Sequence, residues 1–190
     1  MRMFHFLALM ALLSVTAMPV SAAEPLPPAV GLSSQASAQR AALFAELKTA
    51  KNEADAREIE QQIWTFWLKP ADEESRHLLD QSKEAQLSFD YGHALIALEK
   101  LVNRQPLFAE GWNQLAYVLF LAGSYDASLQ ALDRTLALEP LHYAALAGKG
   151  IILIQQGKEA EAQAPLKQAL AINPWLKERN LIAKDSERKI

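Results

Sequence analysis

Proline recurs every 34 residues along the last hundred positions of this chain, at Pro106, Pro140 and Pro174. Other columns keep the same spacing: Leu78, Trp112 and Leu146; Leu98, Leu132 and Leu166; Ala94, Ser128 and Ala162. Gly123 and Gly157 are also 34 apart, as are Tyr91 and Tyr125. Large residues recur with large, small with small and proline with proline, which is the signature of a structural repeat. A unit of this length holds two helices and two turns. It cannot bury its own apolar face, so it stacks on its neighbours. The composition agrees with helices: alanine (33) and leucine (30) make up a third of the 190 residues, beside 7 glycines and no cysteine. Stability therefore rests on packing, without disulfides.

The middle unit is the clearest. From Ala109 to Gly123, Trp112, Leu115, Ala116 and Leu119 fall on one helical stripe. Gly123 ends that helix, because a left-handed residue there carries no steric cost. Ser124 is the expected N-cap of a second helix with a stripe of Leu129, Leu132 and Leu136, closed by Glu139-Pro140. The small pair Ala116 and Ser128 lets the two helices approach closely. The third unit repeats the pattern through Leu146, Gly150, Leu153, Gly157, Ala162, Leu166, Ala169 and Pro174. The first keeps Leu78, Ala85, Tyr91, Ala94, Leu98 and Pro106, but Phe89 stands where the turn glycine belongs, which predicts a looser or differently shaped turn. Pro165 lies inside a helix and is expected to kink or fray it.

These residues resemble the tetratricopeptide repeat: an aromatic, a leucine and a small residue, then Gly-x-Tyr, two spaced alanines and a closing proline. The resemblance implies an all-α, right-handed α-solenoid with repeats at 75–108 (degenerate), 109–142 and 143–176. Upstream, Gln39–Ala50 and Glu53–Leu68 read as a divergent, repeat-like hairpin over 39–74, expected to cap the N-terminal end of the array. Downstream, Trp175–Ala183 is expected to form a capping helix, with Trp175, Leu176 and Ile182 over the last repeat and a charged tail within 177–190.

Residues 1–23 read as a cleaved signal peptide: Arg2, an apolar run from Met3 to Met18, and small residues ending near Ala22 and Ala23. The run is shorter than the roughly 20 residues that span a bilayer, so no stable membrane anchor is expected after processing. Residues 24–38, with Pro25, Pro27, Pro28 and Gly31, read as a flexible leader. A periplasmic or secreted location follows. The layout is similar to small tetratricopeptide proteins of Gram-negative envelopes, alphaproteobacterial ones included. A formal net charge of −3 argues against nucleic acid as the main partner.

Nothing in the sequence points to catalysis, a cofactor or a metal. His77, His93 and His142 have no metal-ligand spacing, and Glu74 with His77 is half of a di-metal motif whose other half is missing. Gly148-Lys149-Gly150 lacks a phosphate-loop frame, and Gly150 reads as a close helix contact. Trp64, Trp67, Trp112 and Trp175 read as packing residues.

The resemblance implies that the first helix of each unit lines a concave groove. Its candidate protein-binding residues are Leu79, Lys83 and Gln86, then Asn113, Tyr117 and Phe120, then Ile151 and Ile154. With Leu79 and Ala147 in the matching places, Lys83 stands almost alone, which disfavours the family's carboxylate-clamp mode. The expected function is an adaptor holding a peptide or helix of an envelope protein. Self-association into a scaffold is the alternative, and occupation of the groove by the chain's own leader or tail is a third arrangement to distinguish.

Overall fold

The computed structural model describes residues 31–182. Among them are eight α-helices, α1 (Ser34–Thr49), α2 (Glu53–Leu68), α3 (Glu73–Leu87), α4 (Tyr91–Arg104), α5 (Ala109–Leu121), α6 (Tyr125–Leu138), α7 (Tyr143–Gln155) and α8 (Glu159–Ile172), then a 3-10 helix, Lys177–Leu181. The pairs α3/α4, α5/α6 and α7/α8 are antiparallel hairpins, stacked through α4 on α5 and α6 on α7. The expected signal peptide, most of the leader and the end of the tail lie outside the described residues.

The small-residue column does what close packing requires. Ala94, Ser128 and Ala162 are fully buried, and the Ser128 hydroxyl donates to the Ala116 carbonyl at 2.6 Å. Trp112 Nε1 donates to the Pro106 carbonyl at 3.0 Å, tying the first closing turn to α5. Asp72 caps α3 through the Ser75 N–H and Asp90 caps α4 through the His93 N–H. These bonds hold both carboxyls below their ordinary value, with Arg104 adding to the effect at Asp72 and the His93 ring at Asp90. The stabilisation is full above the ordinary aspartate range and is lost as pH falls through the lowered values. Ser124 is the N-cap residue of α6, but its side chain makes no capping bond.

The first-repeat turn is not looser than the others. Phe89, Gly123 and Gly157 have φ of 58°, 76° and 73°, and the residue after each donates its N–H five residues back, Asp90 to Ala85, Ser124 to Leu119 and Lys158 to Leu153. All three are Schellman turns. Phe89 adopts the left-handed conformation at a cost of about 1–2 kcal/mol, because the repeat geometry on both sides requires it. Nor does Pro165 interrupt its helix: α8 runs through it, with the ring buried.

The glycines of α7 differ in purpose. A Cβ on Gly150 would lie 2.5 Å from Leu166 Cγ, whereas one on Gly148 would meet nothing closer than Leu132 Cδ1 at 3.6 Å. Gly150→Ala is therefore expected to destabilise by about 1–3 kcal/mol through overpacking. Gly148→Ala is expected to stabilise by about 0.5–1 kcal/mol through lower backbone entropy in the unfolded chain. Thermal unfolding of the two variants checks this, and shifts of the same sign would contradict it.

The N-terminal hairpin departs most from expectation. It does not cap the first repeat. Leu43, Phe44 and Leu47 of α1 and Ile63, Phe66 and Trp67 of α2 share one core with Leu141 and Tyr143, at the junction of the second and third repeats, and Trp175 and Leu176 pack against its edge. The docking uses the repeat itself. The residues before the closing prolines, Gln105, Glu139 and Asn173, form another 34-residue column. Glu139 pairs with Arg40 of α1 in a buried ion pair, with Arg40 Nε donating to Oε2 at 2.8 Å. Asn173 Nδ2 donates to Glu60 of α2. Each also accepts the backbone N–H two residues on, from Leu141 and Trp175. At the first station Gln105 Oε1 has no partner, and Leu107 is 60% exposed where its counterpart Leu141 is 8%. The outer face of the first repeat is left uncovered by the hairpin, with Gln81, Glu84, His93 and Lys100 exposed around a half-exposed Ile96.

The helix start and the C-terminal segment also shift. Helix α1 begins at Ser34, inside the expected leader, because Ser33 caps it through the Ala36 N–H and Leu32 and Ala36 pack on the hairpin core. The expected helix over Trp175–Ala183 is instead the short 3-10 turn. Leu176 covers Leu146, Ala147 and Ala169, and Ile182 packs on Leu153, Ala162 and Leu166.

Candidate protein-binding groove

The first helices α5 and α7 run past each other with a hollow of about 330 Å³ between them. Asn113, Tyr117 and Phe120 of α5 and Ile151 of α7 line it, over a floor that includes Leu132 of α6. Tyr117 is 51% exposed, and Phe120 leans on Tyr125 with ring centroids 5.8 Å apart. Space arises from small residues, Ala116, Ala144 and Gly148. A second hollow, about 570 Å³, holds Leu79, Lys83 and Gln86 together with Leu68, Arg76 and Asp80. Gln114 lines both hollows and so links them into one groove. Ile154 lies in neither: it packs against Leu153, Ala162 and Leu166.

Three features of the groove are not visible in the helical pattern. The first is Trp64. It stands edge-on to Trp67, with centroids 5.1 Å apart, but it is only partly buried and forms a wall of the α5/α7 hollow. The hairpin thus contributes directly to the groove. No spacing along the chain could place it there, because α2 reaches α5 and α7 only by tertiary docking.

The second feature is a buried carboxylate. Glu110, in the first turn of α5, is 1% exposed and accepts from Gln114 Nε2 at 2.6 Å, Asn113 Nδ2 at 3.3 Å and His142 Nε2 at 3.0 Å. His142 caps α7 by accepting the Ala145 N–H on Nδ1 at 3.2 Å, which puts its ring proton on Nε2, facing Glu110. The third is the stack on that histidine: Trp67 lies parallel to it, centroids 3.9 Å apart and 8° between planes. Hairpin, histidine, carboxylate and groove amides form one continuous chain of contacts. Beside it, the Tyr143 hydroxyl is buried without a hydrogen-bond partner, and burial, then the charges of Glu60 and Glu110, push its pKa well up. A glutamate in a helix's first turn reads as a dipole-complementing surface acid, so nothing in the sequence marked Glu110 as interior.

The remaining candidates are ordinary surface groups. His77 is exposed and hydrogen-bonded to Gln81, and His93 is exposed and paired with Asp90. Among the described residues, no group of three or more His, Cys, Asp or Glu is arranged to hold a metal ion, and no helix is long and apolar enough to cross a membrane.

No family model matches the chain. It is 27% identical over 132 residues, 70% of its length, to a TPR repeat-containing protein of Rhizobium etli. That match spans 65% of the relative's own length, and its source agrees with the alphaproteobacterial resemblance of the layout. Among solved structures, the TPR2B domain of yeast Sti1, in its complex with pHsp70, superposes with a TM-score of 0.53 at 19% identity, covering 58% of this chain and 91% of that one. MamA superposes with a TM-score of 0.50 at 21% identity, covering 69% and 74%. With the 34-residue period, the three stacked hairpins and these likenesses together, the chain has the fold of a tetratricopeptide-repeat α-solenoid, with a helical hairpin laid across its second and third units.

Proposed function

We propose that this protein is an exported, non-catalytic adaptor whose groove holds a peptide or helical segment of another envelope protein. The observation that carries the reading is the α5/α7 hollow: mostly apolar, with no acidic or basic side chain in its lining, and bordered by a half-exposed Tyr117. Aromatic side chains beside an apolar recess are the anchors that protein interfaces use. The similar TPR2B domain of Sti1 has pHsp70 as its partner in the solved complex, which supports a groove-binding role here. The mixed charges of the second hollow, Arg76 and Lys83 beside Asp80, do not resemble a dedicated carboxylate clamp.

The periplasmic or secreted location rests on the signal-like pattern of residues 1–23. Cell fractionation tests it, and a chain retained in the cytoplasm at full length would overturn it. For the groove, the double variant Tyr117→Ala, Phe120→Ala is expected to lose at least about tenfold in recovery of its envelope partner, as truncated aromatic anchors do. Its far-UV circular dichroism should match that of the wild type. Undiminished recovery would overturn the groove as the binding surface.

A further inference from the structure

The hairpin covers the closing turns of the second and third repeats and stops short of the first. We propose that the chain's own leader completes this cover: residues 24–30 lie as a strap over the Gln105–Leu107 turn, with their apolar side chains on Leu107 and their main chain against the Gln105 amide. The strap closes the turn edge of the first repeat, as the hairpin does for the other two, and leaves the groove as the face open to a partner.

The first support is continuity with the interface already in place. Glu139 and Asn173 of the pre-proline column are bonded to Arg40 and Glu60 of the hairpin, and the apolar residues after the prolines, Leu141 and Trp175, pack on its core. Gln105 and Leu107 continue both columns, yet Gln105 Oε1 is buried without a partner and Leu107 is 60% exposed. The change from carboxylate to amide also selects the occupant. An amide carries both donor and acceptor, which suits peptide backbone rather than the guanidinium that Glu139 takes.

The second support is where the leader ends. Helix α2 leads from Glu60, at the Asn173 station, to Leu68, which borders the first repeat beside Ala71 and Leu79. Helix α1 is its antiparallel partner, so the Ser34 end of α1 points back towards the first repeat, past the Arg40–Glu139 pair. Ser33 precedes Arg40 by two helical turns, about 10 Å, which is the spacing of packed helices. Leu32 is anchored on the hairpin core, and Gly31 before it has a φ of 79° with nothing within 4 Å of a Cβ. That glycine therefore serves a turn and not a close contact.

Reach and chemistry agree with the position. Residues 24–30 span about 20 Å in the extended form that Pro25, Pro27 and Pro28 favour. No charged residue lies between Glu24 and Arg40, so Leu26, Ala29 and Val30 can meet Leu107 with no charge to desolvate, and their N–H groups remain as donors. The C-terminal tail, by contrast, is charged and leaves from Ile182 on the third repeat.

The chain has no cysteine, so introduced thiols report on cover without interference. Leu107→Cys and Leu87→Cys are made separately in the full chain and labelled with a maleimide. Leu87, at the end of α3 and 74% exposed, is the uncovered reference. Adding Leu26→Ser and Val30→Ser should speed labelling of the Leu107→Cys thiol by at least about tenfold and leave the Leu87→Cys rate unchanged. Gly31→Val, which disfavours the left-handed turn, should speed it in the same direction. In a glutathione buffer, Leu26→Cys should form an intramolecular disulfide with Leu107→Cys and not with Leu87→Cys. Far-UV circular dichroism should be the same throughout, since α1 begins only at Ser34.

Several results would overturn the strap. They are a Leu107→Cys labelling rate that ignores the leader substitutions, and equal disulfide yields for the two pairs, which is the behaviour of a tethered segment with no seat. So would labelling that slows as protein concentration rises, or a disulfide joining two chains, either of which identifies a second copy as occupant. Acceleration at Leu107→Cys on deleting residues 183–190, with none from the leader substitutions, identifies the tail instead. Every one of these readouts is made without a partner protein. Failure of the strap therefore leaves the adaptor reading standing, and partner recovery that is insensitive to Tyr117 and Phe120 leaves the strap standing.

Discussion

Glu139→Ala is expected to cost about 3–5 kcal/mol of folding stability, the range for removing one partner of a buried ion pair. Both side chains of the Arg40–Glu139 pair are only 4% exposed, and Arg40 also lies over the Phe44 ring, its guanidinium carbon 5.6 Å from the centroid. Removing the carboxylate takes the Glu139 charge from a desolvated guanidinium and the acceptor from the Leu141 N–H. Replacing both partners with apolar residues, Arg40→Met with Glu139→Leu, should recover most of the loss, because the desolvation penalty disappears with the charges. Urea denaturation followed at 222 nm measures the three variants. A loss under about 1 kcal/mol for Glu139→Ala would be the behaviour of a solvent-exposed pair and would contradict the docked position of α1.

Trp67→Ala is expected to cost a similar amount, about 3–5 kcal/mol, through the cavity it leaves. Trp67 is 5% exposed and contacts Phe44, Trp64, His142 and Tyr143 through its ring. The damage should be uneven. Amide exchange in α1 and α2 should accelerate most, because they lose the ring that joins them to the repeats, while α7 and α8 keep their own core. Trp67→Phe should cost less, under about 1.5 kcal/mol, since Trp67 Nε1 has no hydrogen-bond partner to lose. Uniform exchange along the chain, or equal costs for the two substitutions, would show that the hairpin is not a separately released unit.

Both predictions concern the part of the molecule that reasoning along the chain misplaced. The helices of the hairpin were legible, α2 to the residue, because Asn52 caps it and its apolar positions recur at helical spacing. Their docking was not. Pro70 lies 36 residues before Pro106, which suggests a further unit in series, yet the hairpin turns away to the pre-proline column of later repeats. Glu139 and Asn173 look like surface residues at helix ends until Arg40 and Glu60 are brought against them from 99 and 113 positions away. The Phe89 turn teaches a related lesson. Local preference favoured a different shape, but the stacking of repeats on either side imposed the left-handed turn on a phenylalanine.

The candidate site divides in the same way. Asn113, Tyr117, Phe120 and Ile151 fall together because one helix face repeats in the next unit, and a period can be read from a string of residues. Ile154 is one helical turn further along α7 and faces the third repeat's own core instead. Trp64, and the links from Trp67 through His142 and Glu110 to the amides, depend on where a separate hairpin lands.

The sequence by itself therefore determined the repeat: its 34-residue length, its two helices, its turns and its closely packed small residues. Each of these is set by interactions between neighbours in the chain or between identical units. Only the tertiary structure decided that the hairpin lies across the second and third repeats, that Glu110 is interior, and that the groove has an aromatic wall. Those outcomes depend on burying two charges together and stacking two rings, and such contacts join residues that no local spacing relates.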